Sequence, residues 1–411
     1  MLHPTTSSQH LLFVVIGIGT GWYLHSALTM QIPFWQREFP SVGLCLSLYV
    51  NIIGHAAVVA ILPLLWLRWA CPQCATHRAV VAFLFSIQLL SLFELAAFWS
   101  LGEKIILATS FISGMIGSLF GVVFVPWLNS HGAENIPYAL FGQRCGQLIE
   151  SGLGLLQQPG SEDVRFDPTV SLLALSAPLC VSIGAAIHAE LKAGSNHHLP
   201  KSLQTPLTSS FAAASAPTTS GATAYDLFRD ERLLSTIPLM LSIGWIDANT
   251  FGLHNAILPF AAANTDPRPG GLGSVALQNC ILAGFVGLPV GSFTALALPK
   301  WRNVYALTFI FTLFSALLVL ASADGFPTFW RTKIGVATLI GCAGLVRFLE
   351  AYTTTIVYVV IAERHGAEHA PRLSFWTGVC DRAMVTIGTG LGVVAVKWLQ
   401  ADGVADDRTQ C

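Results

Sequence analysis

Charge is scarce in this 411-residue chain: Lys, Arg, Asp and Glu together make up 10% of it, where soluble proteins carry roughly 25%. That scarcity excludes an ordinary water-solvated surface. The net charge is -1 and no basic run occurs, so neither nucleic-acid binding nor polybasic docking to anionic lipid is expected. Asn-x-Ser/Thr acceptors are also missing, so no loop is marked as glycosylated and external. The nine cysteines are too scattered to define a disulfide framework. Most of them, such as Cys145, Cys180, Cys280, Cys342 and Cys380, fall in apolar windows, where a thiol acts as a small hydrophobe. Cys71 and Cys74 have CxxC spacing, but the further ligands of a zinc site and the βαβ context of a redox motif are lacking.

Apolar residues are what the chain has in excess, at 53%. They gather into windows of about 20 residues, long enough at 1.5 Å per residue to cross a hydrocarbon layer of roughly 30 Å. A helix is the form such a window takes, because it satisfies its own backbone. The first window, 11–30, is too long for a signal-peptide core and has no Lys or Arg before it, so it is expected to stay in the mature protein. The windows predict helices over 11–30, 44–68, 79–100, 105–128, 138–157 and 169–191, then 233–258, 275–298, 303–323, 333–360 and 373–398.

The expected fold is an all-α integral membrane protein of about eleven spans, arranged as a six-plus-five, two-bundle, major-facilitator-like carrier. Its parts are an N-terminal bundle over 1–191, a flexible cytoplasmic linker over 192–232 and a C-terminal bundle over 233–411. The linker is assigned by composition, being rich in Ser, Thr, Ala and Pro and poor in large apolar residues. Lys and Arg fall slightly more often in loops on one side, which predicts a cytoplasmic N-terminus and an extracellular C-terminus. A weak repeat is visible: Gly21-Trp22 precedes Ile32-Pro33-Phe34, and Gly244-Trp245 precedes Leu258-Pro259-Phe260. Repeated halves place a solute site between them near the midplane; chance recurrence in a Gly- and aromatic-rich chain explains the pattern as readily.

Polar residues inside the windows carry the functional information, since a charge at a helix centre costs about 2.5 to 3.5 kcal/mol on the insertion scale. Arg144 and Glu150, Asp247, Arg347 and Glu350, and Asp381 with Arg382 are such residues. Asp247, Arg347, Asp381 and Arg382 either lock helices together as partnered charges or line a wet cavity and serve gating or proton coupling. Neutral groups suited to an uncharged heteroaromatic solute include Ser26, Thr29, Gln31, Gln143, Asn249, Asn255, Gln278 and Thr353, with Trp22, Trp127, Trp245 and Tyr352 as stacking surfaces. Interhelical hydrogen bonds and interfacial anchoring are the competing roles for each. The sequence His365-Gly-Ala-Glu368-His369 has zinc-peptidase spacing, but Gly366 and Pro371 place it in a short loop between the last two spans. No clustered nucleophile or acid marks an enzyme, and no cofactor or metal is expected.

Several blocks resemble the eukaryotic riboflavin transporter family, over most of the chain outside the linker. Gly17-Ile-Gly-Thr-Gly-Trp22 leading to Leu28-Thr-Met-Gln-Ile-Pro33 is similar to the family's Gly-x-Gly start and its Asn-Gly-Ile-Trp-Val-Glu-Leu-Pro motif. Leu44-Cys-Leu-Ser-Leu-Tyr-Val50 is similar to the Leu-Pro-Ser-Tyr-Val opening of the second span. Phe124-Val-Pro126-Trp-Leu128 followed by Leu140-Phe-Gly142-Gln143 is the most specific block, and His254-Asn255-Ala-Ile-Leu-Pro259 resembles Thr-Asn-Gly-Val-Leu-Pro. Ser26 and Gln31 stand where the family has Asn and Glu, and Arg382 where it has Gln. The resemblance implies a plasma-membrane carrier moving riboflavin by alternating access, with membrane lipid as its surroundings and a monomer as its unit. It implies substrate contacts at Gln143 and Asn255, then Trp22, Gln31 and Tyr352, with Asn249 and Trp127 beside them. Nucleosides or another small heteroaromatic vitamin are the alternative solutes.

Overall fold

The computed structural model describes residues 7–39, 42, 45–70, 77–161, 163–195, 231–265, 273–298, 302–323 and 327–401. Every regular element among them is helical. The first helix runs as Ser7–Ile18 and Tyr23–Glu38, bent by 51° at the break. The second joins Cys45–Ala56 to Ile61–Ala70 through a 3-10 turn, Ala57–Ala60. His77–Phe98, Glu103–Asn129, Ile136–Gln157 and Pro168–Ser195 complete the first bundle. The seventh consists of Glu231–Asp247, a π segment Ala248–His254 and Asn255–Ala263; Ser274–Ala297 and Val304–Ser322 are the eighth and ninth. The tenth and eleventh form the stretch Lys333–Ala401, broken at Gly366 (φ 65, ψ 178).

Eight of these helices are long and apolar enough to cross a bilayer, or nine with the bent first pair. The fifth and seventh complete the predicted eleven. Gln143, Arg144, Gln147, Glu150 and Gln157 dilute the hydropathy of the fifth, and the π segment interrupts the seventh. Large apolar side chains such as Leu62, Leu90, Phe309, Ile334 and Val394 face outward, as a lipid-facing belt requires. The structure therefore has the predicted six-plus-five membrane fold.

Some predicted boundaries move. Residues 192–195 continue the sixth helix and 231–232 begin the seventh, so the linker assignment otherwise falls on 196–230, outside the described residues. The loop expected around Gly366 and Pro371 is a hinge at Gly366: its positive φ stops one helix, and Pro371 lies near the start of the next, where a missing N–H costs little. The cysteines also differ from expectation at one position. Cys45 is disulfide-bonded, whereas Cys145, Cys180, Cys280, Cys342 and Cys380 are free. Cys71 and Cys74 lie outside the described residues.

Candidate functional site

The first and seventh helices, which open the two bundles, are both irregular near mid-length, and each irregularity presents an aromatic ring to the other. In the first, Gly21 adopts φ +66 at the break, a conformation that strains any side chain but glycine. A Cβ there would also strike the Gln143 amide. Backbone groups freed by the break are satisfied from neighbouring helices: Ser182 Oγ accepts from Gly19 N at 3.0 Å, and Gln88 Nε2 donates to Gly19 O at 2.8 Å. The turn delivers the indole of Trp22 to the centre, against Gly117 of the fourth helix.

In the seventh helix the π segment frees carbonyls in a layer without water, where each needs a partner. The second helix supplies them from one face. Ser47 Oγ donates to Asn255 O at 2.9 Å, Asn51 Nδ2 to Gly252 O at 2.8 Å, and the His55 ring Nε2 lies 3.2 Å from Phe251 O. These residues stand four apart, so they share a stripe. The outcome is that Phe251 stacks on Trp22 with ring centroids 5.9 Å apart and planes 15° from parallel.

Charges flank the pair. Arg382 lies over Trp22 at 5.2 Å and Arg347 over Phe251 at 4.6 Å. Arg382 is paired with its neighbour Asp381 and lies 3.6 Å from Asp247 of the seventh helix. Arg144 of the fifth helix meets Glu350 of the tenth, an ion pair joining the bundles with both partners buried. Arg347 Nη2 donates to Asn255 Oδ1 at 2.9 Å and has no carboxylate partner among the described residues. The formal charges of Arg144, Arg347 and Arg382 cancel those of Asp247, Glu350 and Asp381. Glu150 is buried elsewhere in the fifth helix with neither oxygen partnered.

Two small voids lie near the aromatic pair. One, of about 50 Å³, is lined by both rings and by Gln143, Arg144, Asp247, Thr354, Asp381 and Arg382 among others. The other, of about 40 Å³, touches neither ring and is lined by Thr29, His254, Asn255 and Arg347 among mainly apolar side chains. The bundles touch on both sides of these voids. Toward one face, Gly160 N donates to Gln278 Oε1 at 3.0 Å; toward the other, the fourth and eleventh helices meet at Gly121 and Gly378, where a Cβ on Gly378 would enter the Gly121 backbone.

The predicted site residues divide between the centre and its surroundings. Trp22, Gln143, Asn255, Asp247, Arg347, Asp381 and Arg382 gather around the voids. Gln31 instead exchanges hydrogen bonds with Gln157 at 2.8 and 3.0 Å, within the first bundle. Trp127 donates to Glu190 at 2.8 Å beside Arg78. Tyr352 donates to Leu298 O at 3.0 Å, and Asn249 to Trp245 O of its own helix at 2.8 Å. Sequence reasoning did not single out Phe251, the polar stripe Ser47, Asn51 and His55, or His25, whose ring meets Trp22 edge-on with centroids 5.0 Å apart. The four-residue spacing of that stripe in an apolar helix was the available signal. The Gly-Trp repeat does not pair equals: Trp245 faces outward and donates to Thr312 at 3.0 Å, while Phe251 stands where Trp22 finds its partner.

No family model matches the chain, and no curated protein sequence matches it. Solved structures do. A mutant of the nucleoside transporter NupG is similar with a TM-score of 0.54 and 14% identity, covering 96% of each chain. A mutant of the E. coli fucose:proton symporter FucP is similar with a TM-score of 0.52 and 15% identity, covering 98% of this chain and 94% of its own. The fold is thus of the major-facilitator type over nearly its whole length.

Proposed function

We propose that this protein is a carrier that moves a flat, polar, heteroaromatic solute, riboflavin foremost, across a membrane by alternating access. The observation that carries the reading is the near-parallel pair of Trp22 and Phe251, one from each bundle, with amide and charged groups around it. If the bundles rock apart, the two rings separate and leave a slot in which a flat ring stacks on both faces. Stacking and hydrogen bonding account for recognition without covalent chemistry or a resident cofactor.

The riboflavin assignment rests on the sequence blocks around Trp22, Gln143 and Asn255, all of which reach the centre. A nucleoside is the second reading, favoured by the likeness to a nucleoside transporter. Reconstituted vesicles loaded with riboflavin-free buffer should take up labelled riboflavin from outside, with excess unlabelled nucleoside leaving uptake unchanged. Strong competition by nucleosides would exchange the two readings, and absence of flux for both would end the carrier proposal. Imposed pH gradients of both signs test proton coupling through Asp247, Arg347, Asp381 and Arg382; unchanged flux removes it.

For location, the proposal is a plasma membrane with the N-terminus in the cytoplasm and a monomer as the working unit. The Lys and Arg bias supports that orientation. So does the disulfide at Cys45, which starts the second helix on the opposite side from the N-terminus, since disulfides persist in oxidising compartments.

A further inference from the structure

The two voids differ in the hydrogen-bonding groups they leave unmatched. Around the larger, Asp247 Oδ1, Asp381 Oδ1, Arg382 Nη1 and Thr354 Oγ1 are buried without a partner. This mixture of acceptors, a donor and a hydroxyl suits groups that donate and accept at once, which is what hydroxyls do. Around the smaller, Arg347 Nη1 is unpartnered, and Asn255 Oδ1 is occupied by Arg347 Nη2, which leaves the Asn255 amide N–H groups for a ligand. Arg347 is held in place over Phe251. His254 Nδ1 is also unpartnered there, its Nε2 lying 2.7 Å from Ser315 Oγ. Arg347 and Asn255 offer donors on that side, while His254 Nδ1 is left as an acceptor, because its Nε2–H donates to Ser315 Oγ, whose own proton goes to Asn249 Oδ1.

Unmatched polar groups of this kind, well inside a membrane protein, are costly unless a ligand meets them. Resting on the carrier reading above, we propose that the site holds its solute in one direction. The hydroxyl-bearing tail lies with Asp247, Asp381, Arg382 and Thr354, and a carbonyl-bearing ring edge meets Arg347 and Asn255. Phe251 belongs to the wall of the first void and carries Arg347, which lines the second, on its ring, so a parting of Trp22 from Phe251 is the movement that would open the two sides to each other. The class of solute follows: neutral, polyhydroxylated derivatives of a flat ring with carbonyl acceptors. A bare ring fills half of this site, and a free sugar the other half.

The test uses the full chain in detergent and compares riboflavin with lumiflavin, the same ring without the polyol, by equilibrium binding. Asp381→Asn and Thr354→Val are expected to weaken riboflavin about tenfold, as loss of a good hydrogen bond does, while lumiflavin changes by less than about twofold on the same basis. Arg347→Gln is expected to weaken both compounds equally. Thermal unfolding identifies any variant that has merely lost its fold, and the near-isosteric Thr354→Val keeps the tail side testable if Asp381→Asn is unstable. Equal weakening of both compounds by the tail-side variants, or an Arg347→Gln effect on riboflavin alone, overturns the assigned direction and leaves the carrier reading standing. If the unaltered protein binds uridine instead, the comparison is uridine against uracil with the same expected split. If it binds none of these compounds, the carrier reading falls and the assignment with it.

Discussion

Trp22 and Phe251 face each other across the junction of the two bundles, 5.9 Å between ring centroids and 15° from parallel, and each is placed by a defect in its own helix. A break at Gly21 turns one ring inward, and a π segment turns the other. Irregular backbone in a membrane helix is tolerated where neighbours satisfy it. At the seventh helix those neighbours, Ser47, Asn51 and His55 of the second, also join the bundles, so the placing of Phe251 and the contact between the bundles depend on the same hydrogen bonds.

Removing either ring should weaken binding without unfolding the protein. Trp22→Ala and Phe251→Ala are each expected to cost about tenfold in affinity for a flat solute, from lost stacking of roughly 1.5 kcal/mol. Trp127→Phe, on the Glu190 cluster, should leave affinity unchanged. Isothermal titration of the three variants checks this, and equal losses in all three would show that the central pair has no special part.

Asn51→Leu strips the hydrogen bond from Gly252 O and leaves that carbonyl buried and unmet. A loss of about 1 to 3 kcal/mol is expected, seen as a lowered thermal midpoint in detergent. The second and seventh helices are what Asn51 joins, so crosslinking between cysteines introduced in these helices should also become slower than in the parent. An unaltered midpoint would mean that another donor takes over.

The Arg144 and Glu350 pair lends itself to a double-mutant cycle. Glu350→Met or Arg144→Met alone leaves a buried charge without its partner and is expected to cost about 3 to 5 kcal/mol. The two substitutions combined should recover most of that loss, because the expense lies in the orphaned charge. Unfolding of all four proteins in parallel measures the coupling; additive losses would contradict a direct pair.

Gly21→Ala combines two effects that can be separated. The positive φ costs a side chain about 1 to 2 kcal/mol, and the new Cβ collides with the Gln143 amide. Adding Gln143→Ala should remove the collision and leave the backbone strain, so the double variant is expected to be more stable than Gly21→Ala alone. A double variant less stable than the single one would refute the collision.

Much of the architecture was legible in the order of residues, because a lipid solvent imposes a simple rule. Windows of about twenty apolar residues must be helices, and the eleven windows match the eleven helices to within a few residues at most ends. The charges within those windows were legible too, since their cost demands a reason, and five of the seven named above, all but Glu150 and Glu350, line the voids. The role of single amides and indoles was not. Gln31 and Gln143 look alike along the chain, yet one is bound to Gln157 within its bundle and the other lines the void.

The sequence by itself determined the solvent of this protein, the number of its spans and a short set of polar residues buried within them, because hydrophobic length and buried charge are local properties. Only the tertiary structure decided which of those residues meet. Phe251 became the partner of Trp22, and Trp245 did not, because the π segment shifts the facing of the seventh helix and because three side chains from the second helix hold the freed carbonyls. That pairing depends on contacts between residues about two hundred positions apart, and no periodicity within one helix encodes them.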